Sequence, residues 1–336
     1  MRRLILRLTM VAALVLTAVS FGGAADPVEF KFHTTAGTAV LTRTAIEKML
    51  DYIEKNSNGG IKVERFLMGE IAQNDEDQIT ALMEGSVHGI CTGDMVLSWA
   101  APEWISYTSI PFAFENNDHF FKFFLGEQGK KINAIIQDKY GMRFIDSMVG
   151  ARGGRMLTAN KAVYKPEDMK GLKFRVPNVI GTVASWEAIG ATVIGVPWSE
   201  LFTALQTGLV QAEENPYAEL ESGAFYQVQT HIMETAHQIG PQLVVVSEDF
   251  WNALTPELQE VVNAGVKEGF DYFNKETAAN DARIRQKCID SGNIVIPRDE
   301  IDIEAFKKII QEKVIPKLEA EGKVAAGGWD YIQSLK

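Results

Sequence analysis

Cysteine and histidine are scarce in this chain, and their positions limit the chemistry that it can carry. Only two cysteines occur, Cys91 and Cys288, about two hundred positions apart, and the five histidines do not cluster. Without a CxxC spacing, the chain has no disulfide framework and no pattern for a metal site. Cys91 stands in a Gly-Ile-Cys-Thr-Gly stretch typical of a buried strand, where a thiol packs as a small apolar side chain. We expect neither a metal nor another cofactor.

Long apolar runs are also missing. A short apolar run lies near the N-terminus. The chain opens with Met1-Arg-Arg, continues with an apolar run over 9–19 and reaches the small residues Gly22-Gly-Ala-Ala25. This order is typical of a secretory signal peptide cleaved after Ala25. The run is too short for a stable membrane span; the alternative is an uncleaved N-terminal anchor. We expect residues 1–25 to be removed from an exported protein.

Positive charge is in deficit over the whole sequence. The formal net charge of −11 becomes −14 when Arg2, Arg3 and Arg7 leave with the signal peptide. An acidic surface of this kind repels nucleic acid and anionic lipid head groups, so we expect no nucleic-acid partner. A ligand that is itself an anion would require local cations that overcome this repulsion.

Strand-like and helix-like segments alternate along the first part of the chain. Runs with a period of two residues predict strands at 28–33, 61–66 and 89–92. Apolar residues at helical spacing predict helices over 41–55 and 75–84, each followed by glycine. This alternation favours an α/β architecture with an open sheet.

The second half repeats the pattern. We predict strands at 171–176, 191–196 and 209–212, a helix over 179–189, and another that begins with Ser199 as N-cap and ends at Gly208. A longer helix begins at Thr255-Pro256-Glu257 and continues toward Ser291-Gly292. A helix of roughly 35 residues is about 50 Å long, which is enough to span two lobes.

Three predicted strand ends carry side chains suited to an organic anion. Arg175 precedes the proline that ends its strand, Asn215 follows the 209–212 strand, and Trp198 follows the 191–196 strand. Open α/β sheets bind ligands beyond the carboxyl ends of their strands. A guanidinium matches a carboxylate with two parallel hydrogen bonds, an amide orients a second polar group, and an indole forms an apolar wall.

These residues lie within a longer pattern that resembles a known family. The pattern comprises Asp168-Met-Lys-Gly-Leu-Lys-Phe-Arg-Val-Pro177, Gly190-Ala191, Pro197-Trp-Ser-Glu-Leu-Phe-Thr-Ala-Leu-Gln-Thr-Gly208 and Glu214-Asn-Pro216, with Ile110-Pro-Phe-Ala-Phe114 and Phe250-Trp251 in addition. It resembles the DctP-type solute-binding proteins of tripartite ATP-independent periplasmic (TRAP) transporters, over essentially the whole mature chain.

The resemblance implies a bilobal periplasmic-binding-protein fold of the Venus flytrap type. Two open mixed sheets flanked by helices would be joined by a long helix that spans both lobes. We expect 26–151 plus about 241–280 to form lobe I, and 152–240 plus about 281–336 to form lobe II. The implied protein is a periplasmic monomer, not an enzyme. It would bind a small organic acid by hinge closure and deliver it to the TRAP membrane permease subunits.

The resemblance also implies roles for particular residues. Arg175 takes the place of the arginine that grips the ligand carboxylate, Asn215 matches a ligand-contacting asparagine, and Trp198 stands where an aromatic residue lines the site. A second ligand-facing arginine commonly stands in a Gly-x-Arg context before an asparagine. Arg155 fits this context; Arg152 is the alternative, and we expect it to be a surface or hinge residue.

Contacts from lobe I are less strongly specified. Thr35 follows the first strand, Asn74 and Asp75 lie in the next contact loop, and Asp94 follows the Cys91 strand. Each is a candidate ligand contact, and for each the alternative is a helix cap or a turn residue. His237 is a further candidate, although a lone histidine is more often structural.

Other functions on this architecture make different demands on the sequence. An enzyme would need a nucleophile with an adjacent base, or two carboxylates with separated pKa values; no G-x-S-x-G, Cys/His pair or metal cluster appears. A sensor partner or an ABC-type binding protein would share the fold and the signal peptide. The ligand itself stays open among a small hydroxy or dicarboxylic acid, an aromatic acid and a sulfonate.

Overall fold

The computed structural model describes residues 26–34, 40–67, 69–72 and 75–336. The predicted signal peptide and two of the candidate contacts, Thr35 and Asn74, lie outside these residues. Over the ranges that are described, no helix combines the length and the apolar character that crossing a membrane requires.

In the part of the chain that the structure describes, the strands form two sheets, each six-stranded and each mixing parallel and antiparallel pairs. The strands are β1 (Val28–Thr34), β2 (Ile61–Leu67), β3 (Gly89–Thr92), β4 (Met142–Phe144), β5 (Gly150–Gly154), β6 (Met156–Ala159), β7 (Lys173–Val176), β8 (Thr192–Gly195), β9 (Ala212–Asn215), β10 (His231–Met233), β11 (Ile239–Ser247) and β12 (Ile294–Ile296). The first sheet has the order β2-β1-β3-β11-β4, and β5 also pairs with β11. The second sheet has the order β12-β10-β6-β9-β7-β8.

Helices flank both sheets. They are α1 (Val40–Asn56), α2 (Asp75–Met83), α3 (Met95–Ala100), α4 (Pro102–Ile105), α5 (Asn117–Phe124), α6 (Glu127–Tyr140), α7 (Ile180–Ile189), α8 (Trp198–Gln206), α9 (Tyr217–Ser222), α10 (Glu248–Ala253), α11 (Pro256–Asp290), α12 (Ile303–Ile309), α13 (Ile315–Ala320) and α14 (Gly328–Ser334). This arrangement confirms the predicted α/β class with two mixed sheets.

The long helix α11 is confirmed with its predicted start. Thr255 caps it by accepting a hydrogen bond from the backbone N–H of Leu258 at 3.4 Å, and proline occupies the first helical position. Its 35 residues pack first against α1 and later against α9 and β12. At Gly269 an added Cβ would lie 2.6 Å from the carbonyl oxygen of Ala45, so the two helix backbones are in close contact. The helix therefore links elements of both sheets.

Parallel pairing brings the strand ends that carry the candidate residues to one edge of each sheet. In the first sheet β1 lies parallel to both β2 and β3, so the chain leaves Thr34 and Thr92 at the same edge. In the second sheet β7 lies parallel to β8 and β9, with Val176 opposite Gly195. The carboxyl ends of parallel strands are where open α/β sheets bind ligands.

The chain crosses between the sheets at two neighbouring segments. Gly153, near the end of β5, has a φ of +79°, in the region that favours glycine. The backbone N–H of Arg155 donates to Gln238 O at 2.8 Å, and that of His237 donates to Arg155 O at 3.1 Å. Because residues 234–238 join β10 to β11, the two crossings are hydrogen-bonded to each other.

Two local predictions were wrong. The strand expected at 209–212 is β9, displaced to Ala212–Asn215, and Leu209 is 55% exposed. The apolar run suggested the strand, but Val210 is buried before the strand begins, and the fully buried strand that follows is mostly polar. The predicted N-cap Ser199 lies inside α8, which begins at Trp198 after Pro197 with no side-chain cap and ends at Gln206.

Candidate functional site

Arg175 is a buried guanidinium at the end of β7. Its side chain is 5% exposed, and its Nε donates to the carbonyl oxygen of Val196 at 2.9 Å. Burial lowers the pKa of Arg175, while Glu213 and Glu214 act against that shift. No carboxylate of the described residues lies within ion-pair distance of it. Arg175 is thus a buried cation whose terminal nitrogens remain available to an anion.

Arg155, in contrast, is committed to an internal acid. Its Nε and Nη2 donate to the two carboxylate oxygens of Glu214, the second at 2.8 Å, and Nη2 also donates to Glu214 O at 2.6 Å. Burial lowers the pKa of the guanidinium, but Glu214 outweighs this and leaves it raised. Burial would likewise raise the pKa of Glu214, yet Arg155 and His237 hold it at about 2. The pair is therefore ionised, and it fixes the carboxyl end of β9.

His237, in addition to Arg155, contacts the Glu214 carboxylate. It is fully buried, with Nε2 3.2 Å from Glu214 Oε2 and Nδ1 2.7 Å from Thr235 Oγ1. Burial lowers its pKa despite the nearby carboxylate. Because an ionised carboxylate only accepts hydrogen bonds, Nε2 carries the proton and Nδ1 accepts from the threonine hydroxyl. The ring also meets Trp186 edge to face at 5.1 Å.

Asn215 connects Glu213 to Arg155. Its Oδ1 accepts from Arg155 Nη2 at 3.0 Å, and its Nδ2 donates to Glu213 Oε2 at 2.5 Å. The neighbours on both sides therefore fix the orientation of the amide. One hydrogen of Nδ2 remains for a further acceptor, since an amide nitrogen carries two.

Glu213 was not among the predicted site residues. It is fully buried, accepts from Thr158 Oγ1 at 2.6 Å and from Asn215 Nδ2, and has no guanidinium or ammonium partner among the residues that the structure describes. Burial raises its pKa to about 7. The Glu213-Glu-Asn sequence could have drawn attention to it, because consecutive residues of a strand point to opposite faces and both acids would need internal partners.

Trp198 lies at the same edge as Arg175 but is much more exposed. Its side chain is 46% accessible, and its ring meets Phe225 edge to face at 5.1 Å. An exposed indole held by a second aromatic ring forms a fixed apolar plate. The second sheet thus brings Arg175, Asn215, Trp198 and the Arg155–Glu214 pair together.

The two candidate ligand contacts of the first sheet that the structure describes both accept hydrogen bonds from other side chains of the protein. Asp75, in the first turn of α2, accepts from Gln78 Nε2 at 2.6 Å. Asp94 precedes α3 and accepts from Thr108 Oγ1. Both side chains are half-buried. The Asp75 contact lies within its own helix, whereas Asp94 makes no side-chain cap bond to α3, and the ligand role of each aspartate stays a prediction.

Arg152 is half-buried, with 33% of its side chain exposed, and its expected role as a surface or hinge residue stays a prediction. Its Nε is buried without a hydrogen-bond partner in the described part of the chain, and its Nη1 lies 3.7 Å from Glu219. Its guanidinium approaches the backbone at Gly93 and Gly240, where a glycine leaves room for it. This arginine is therefore close to the carboxyl end of β3.

A cavity of about 800 Å³ adjoins Arg152, between α1, α9 and α11. Glu219 and Asp281 line it, and burial together with Glu219 raises the pKa of Asp281 to about 7. Among the described residues, its lining includes neither Arg175 nor Asn215. No group of three or more potential metal ligands occurs anywhere in the described ranges.

Comparisons with known proteins agree with this architecture. Residues 32–319 match the family model DctP, bacterial extracellular solute-binding protein, family 7. A solute-binding protein of Roseobacter denitrificans is 28% identical, with 93% of each chain covered. A TRAP periplasmic solute-binding protein of Shewanella oneidensis, solved with bound succinate, has a TM-score of 0.78 at 26% identity, covering 92% of this chain and 99% of that one. Another from Pseudomonas putida, solved with bound D-glucuronate, has a TM-score of 0.77 at 26% identity, covering 91% and 96%.

Proposed function

The chain belongs to the DctP family of bacterial extracellular solute-binding proteins, family 7, and from this we propose that it captures a small organic-acid anion for a TRAP transporter. The observation that carries the proposal is Arg175. A buried guanidinium without a carboxylate partner among the described residues lies where three parallel strands of the second sheet end. Burying a charge is costly unless an opposite charge accompanies it.

In the proposed complex, Arg175 binds the ligand carboxylate through its terminal nitrogens. The hydrogen bond from Nε to Val196 O fixes the plane of the guanidinium, so the fork is oriented before the ligand arrives. Asn215 donates its remaining amide hydrogen to a second ligand oxygen. Trp198 covers the apolar part of the ligand, and its exposure in this structure would fall on closure.

Arg155 has a different part in this proposal. Its hydrogen bonds to Glu214 and Asn215 hold β9 and the amide in position. Its Nη1 atom, with no hydrogen bond to the described residues, is the atom that would reach the ligand. His237 stabilises the same pair through its hydrogen bond to Glu214.

Hinge closure would bring the first sheet onto the ligand. Thr35, Asn74, Asp75 and Asp94 are the proposed contacts from that side, at the ends of β1, β2 and β3. The lobes would comprise 26–151 with about 241–280, and 152–240 with about 281–336. The cavity beside Arg152 lies between α1 and α9, which belong to different lobes in this division.

In this proposal, the protein is an exported periplasmic monomer that delivers its ligand to the membrane permease subunits. The family consists of extracellular solute-binding proteins, not enzymes. The relatives solved with succinate and D-glucuronate favour a carboxylate over a sulfonate as the ligand group.

A thermal-shift screen tests the proposal directly. The mature protein is heated with a panel of carboxylates that includes succinate and D-glucuronate, and with matching sulfonates. Ligands that bind only the folded state raise Tm in proportion to ln(1 + [L]/Kd). At least one carboxylate should raise Tm in wild type and not in Arg175→Ala. A panel without any carboxylate effect, or a sulfonate effect alone, would refute the proposed ligand class.

A further inference from the structure

Two acids stand side by side on β9, and their surroundings differ. Glu214 accepts from Arg155 and His237, which are one cation and one neutral ring. Glu213 is equally buried but, among the described residues, accepts only from Thr158 and Asn215, which are both neutral donors. A buried carboxylate that receives only neutral hydrogen bonds is far less stable than one paired with a guanidinium.

The charges of the site do not balance if Glu213 stays ionised when an anion binds. Within the described residues, the charged groups at the carboxyl end of β9 are the buried Arg175, Glu213 and Glu214 and the largely buried Arg155. With Glu213 ionised they sum to zero, and a ligand carboxylate would add an uncompensated negative charge. With Glu213 protonated the site carries one positive charge, which matches a single carboxylate.

The charged groups around Glu213 act on its proton in both directions, and a bound ligand would change their balance. Glu214 on the same strand repels the anionic form, while Arg155, which precedes β6, attracts it. Arg175 on β7 also attracts it, as the reciprocal effect on Arg175 shows. A ligand carboxylate at Arg175 would neutralise that attraction and add a second like charge. His237 contacts Glu214, not Glu213.

The hydrogen bonds of Thr158 can accommodate the extra proton. Its Oγ1 lies 2.6 Å from Glu213 Oε1 and 3.4 Å from Gln229 Oε1. When Glu213 is ionised, the hydroxyl donates to it. When Glu213 Oε1 carries a proton, that O–H donates to Thr158 Oγ1, and the threonine hydroxyl turns to donate to Gln229. Neither form leaves the carboxyl oxygens of Glu213 unpaired.

We propose that Glu213 is a specificity-determining residue that makes the site bind a monoanionic carboxylate together with one proton. The inference rests on the proposed function and names the charge class of its ligand. The proton comes from solvent and resides on Glu213, so the complex gains one carboxylate and one proton. Affinity should then fall with rising pH, approaching tenfold for each unit above about pH 7.

Calorimetric titration in buffers of different ionisation enthalpy measures this proton. The probes are D-glucuronate, D-gluconate and lactate, which are monoanions throughout the range, with succinate as the dianion. For the best monoanion, uptake in wild type should approach one proton per ligand near pH 8 and fall toward zero near pH 6. Glu213→Gln has the shape of the acid, and its amide can donate to Thr158 and accept from Asn215 as the protonated acid does, but it does not titrate. It should bind with no proton uptake and with no pH dependence of affinity.

Two further variants separate titration from a structural effect. Thr158→Val removes a donor that favours ionised Glu213 and so raises the pKa of that acid further; proton uptake should therefore begin only at a higher pH than in wild type. Glu221→Gln changes an acid that Arg283 and Lys287 keep ionised, so uptake should equal that of wild type.

The outcomes distinguish the two proposals. Binding without proton uptake, or uptake that persists in Glu213→Gln, overturns the role of Glu213 and leaves the proposed function in place. Binding of succinate but of no monoanion overturns the charge class. If no carboxylate binds wild type at any pH, the proposed function fails, and this inference fails with it.

Discussion

Glu213 and Glu214 are consecutive residues of β9, and both are buried, but only Glu214 contacts an arginine. This difference gives the two carboxyl groups opposite pKa shifts, to about 7 for Glu213 and to about 2 for Glu214. Because a pKa shift between the folded and unfolded states is also a stability change, each acid should have its own signature in the pH dependence of unfolding.

Removing the partner of Glu214 should destabilise the protein strongly. In Arg155→Ala the carboxylate stays buried without its guanidinium, and breaking such a pair costs about 3–5 kcal/mol. Urea denaturation at pH 7 measures the loss. The matched control is Arg283→Ala, which breaks an exposed pair with Glu221 and should cost less than about 1 kcal/mol. Equal effects from the two variants would contradict the assignment.

The same pair predicts a loss of stability in acid. The folded-state pKa of Glu214 is about 2, below its ordinary value of 4.5. Its contribution is therefore complete above pH 4.5 and is lost as the pH falls through about 2. The free energy of unfolding of wild type should decrease over this window by more than that of Glu214→Gln. Parallel curves for the two proteins would contradict this prediction.

Glu213 should have the opposite effect at higher pH. Its folded-state pKa of about 7 lies above the ordinary 4.5, so ionisation costs the folded protein about 3 kcal/mol above pH 7. Glu213→Gln should match wild type near pH 4.5 and become more stable than wild type as the pH rises through 7. Denaturation curves at several pH values test this. A variant that is less stable than wild type at pH 8 would show that the carboxylate is favourably paired.

The strand of Arg175 and the helix α11 could be predicted because the sequence signals for both are local. Alternation before Pro177 identified the strand of Arg175, and the Thr255-Pro256 start identified α11. The position of β9 could not be predicted in this way, because the Leu209 run is more apolar than the Ala-Glu-Glu-Asn strand itself. Tertiary contacts override local hydrophobicity at such a strand.

The internal partners of the candidate site residues could not be predicted from the sequence. Arg155 and Glu214 are 59 residues apart, and nothing in their local patterns links them. The same limit applies to Asp94, whose contact with Thr108 depends on how the chain turns after β3. Residue type at a strand end indicates a possible ligand contact, whereas the competing internal partner is visible only in the fold.

Close packing of α11 against α1 gives a prediction outside the site. Alanine at Gly269 would favour the helix locally, but its Cβ would lie 2.6 Å from Ala45 O and 2.9 Å from Met49 Cβ. The two backbones would have to separate, so Gly269→Ala should destabilise by about 1–3 kcal/mol. Glu268→Ala, at an exposed position of the same helix, should stay within about 0.5 kcal/mol of wild type. Thermal unfolding that ranks the two variants in the reverse order would contradict this packing.

The last prediction concerns Arg175 and the carboxylate that it is proposed to bind. Arg175→Ala would leave that anion buried and unpaired, at a cost of about 3–5 kcal/mol. Since each 1.4 kcal/mol is about tenfold in affinity, binding should weaken by roughly two to three and a half orders of magnitude. Arg175→Lys should recover only part of this affinity, because an ammonium lacks the planar fork.

The control, Arg65→Ala, removes an arginine paired with exposed acids of α1 and should leave affinity unchanged. Calorimetric titration of the variants with the carboxylate that raises Tm most is the measurement. A folded Arg175→Ala that binds within about fivefold of wild type would remove Arg175 from the site, since a solvent-exposed pair accounts for a difference of that size.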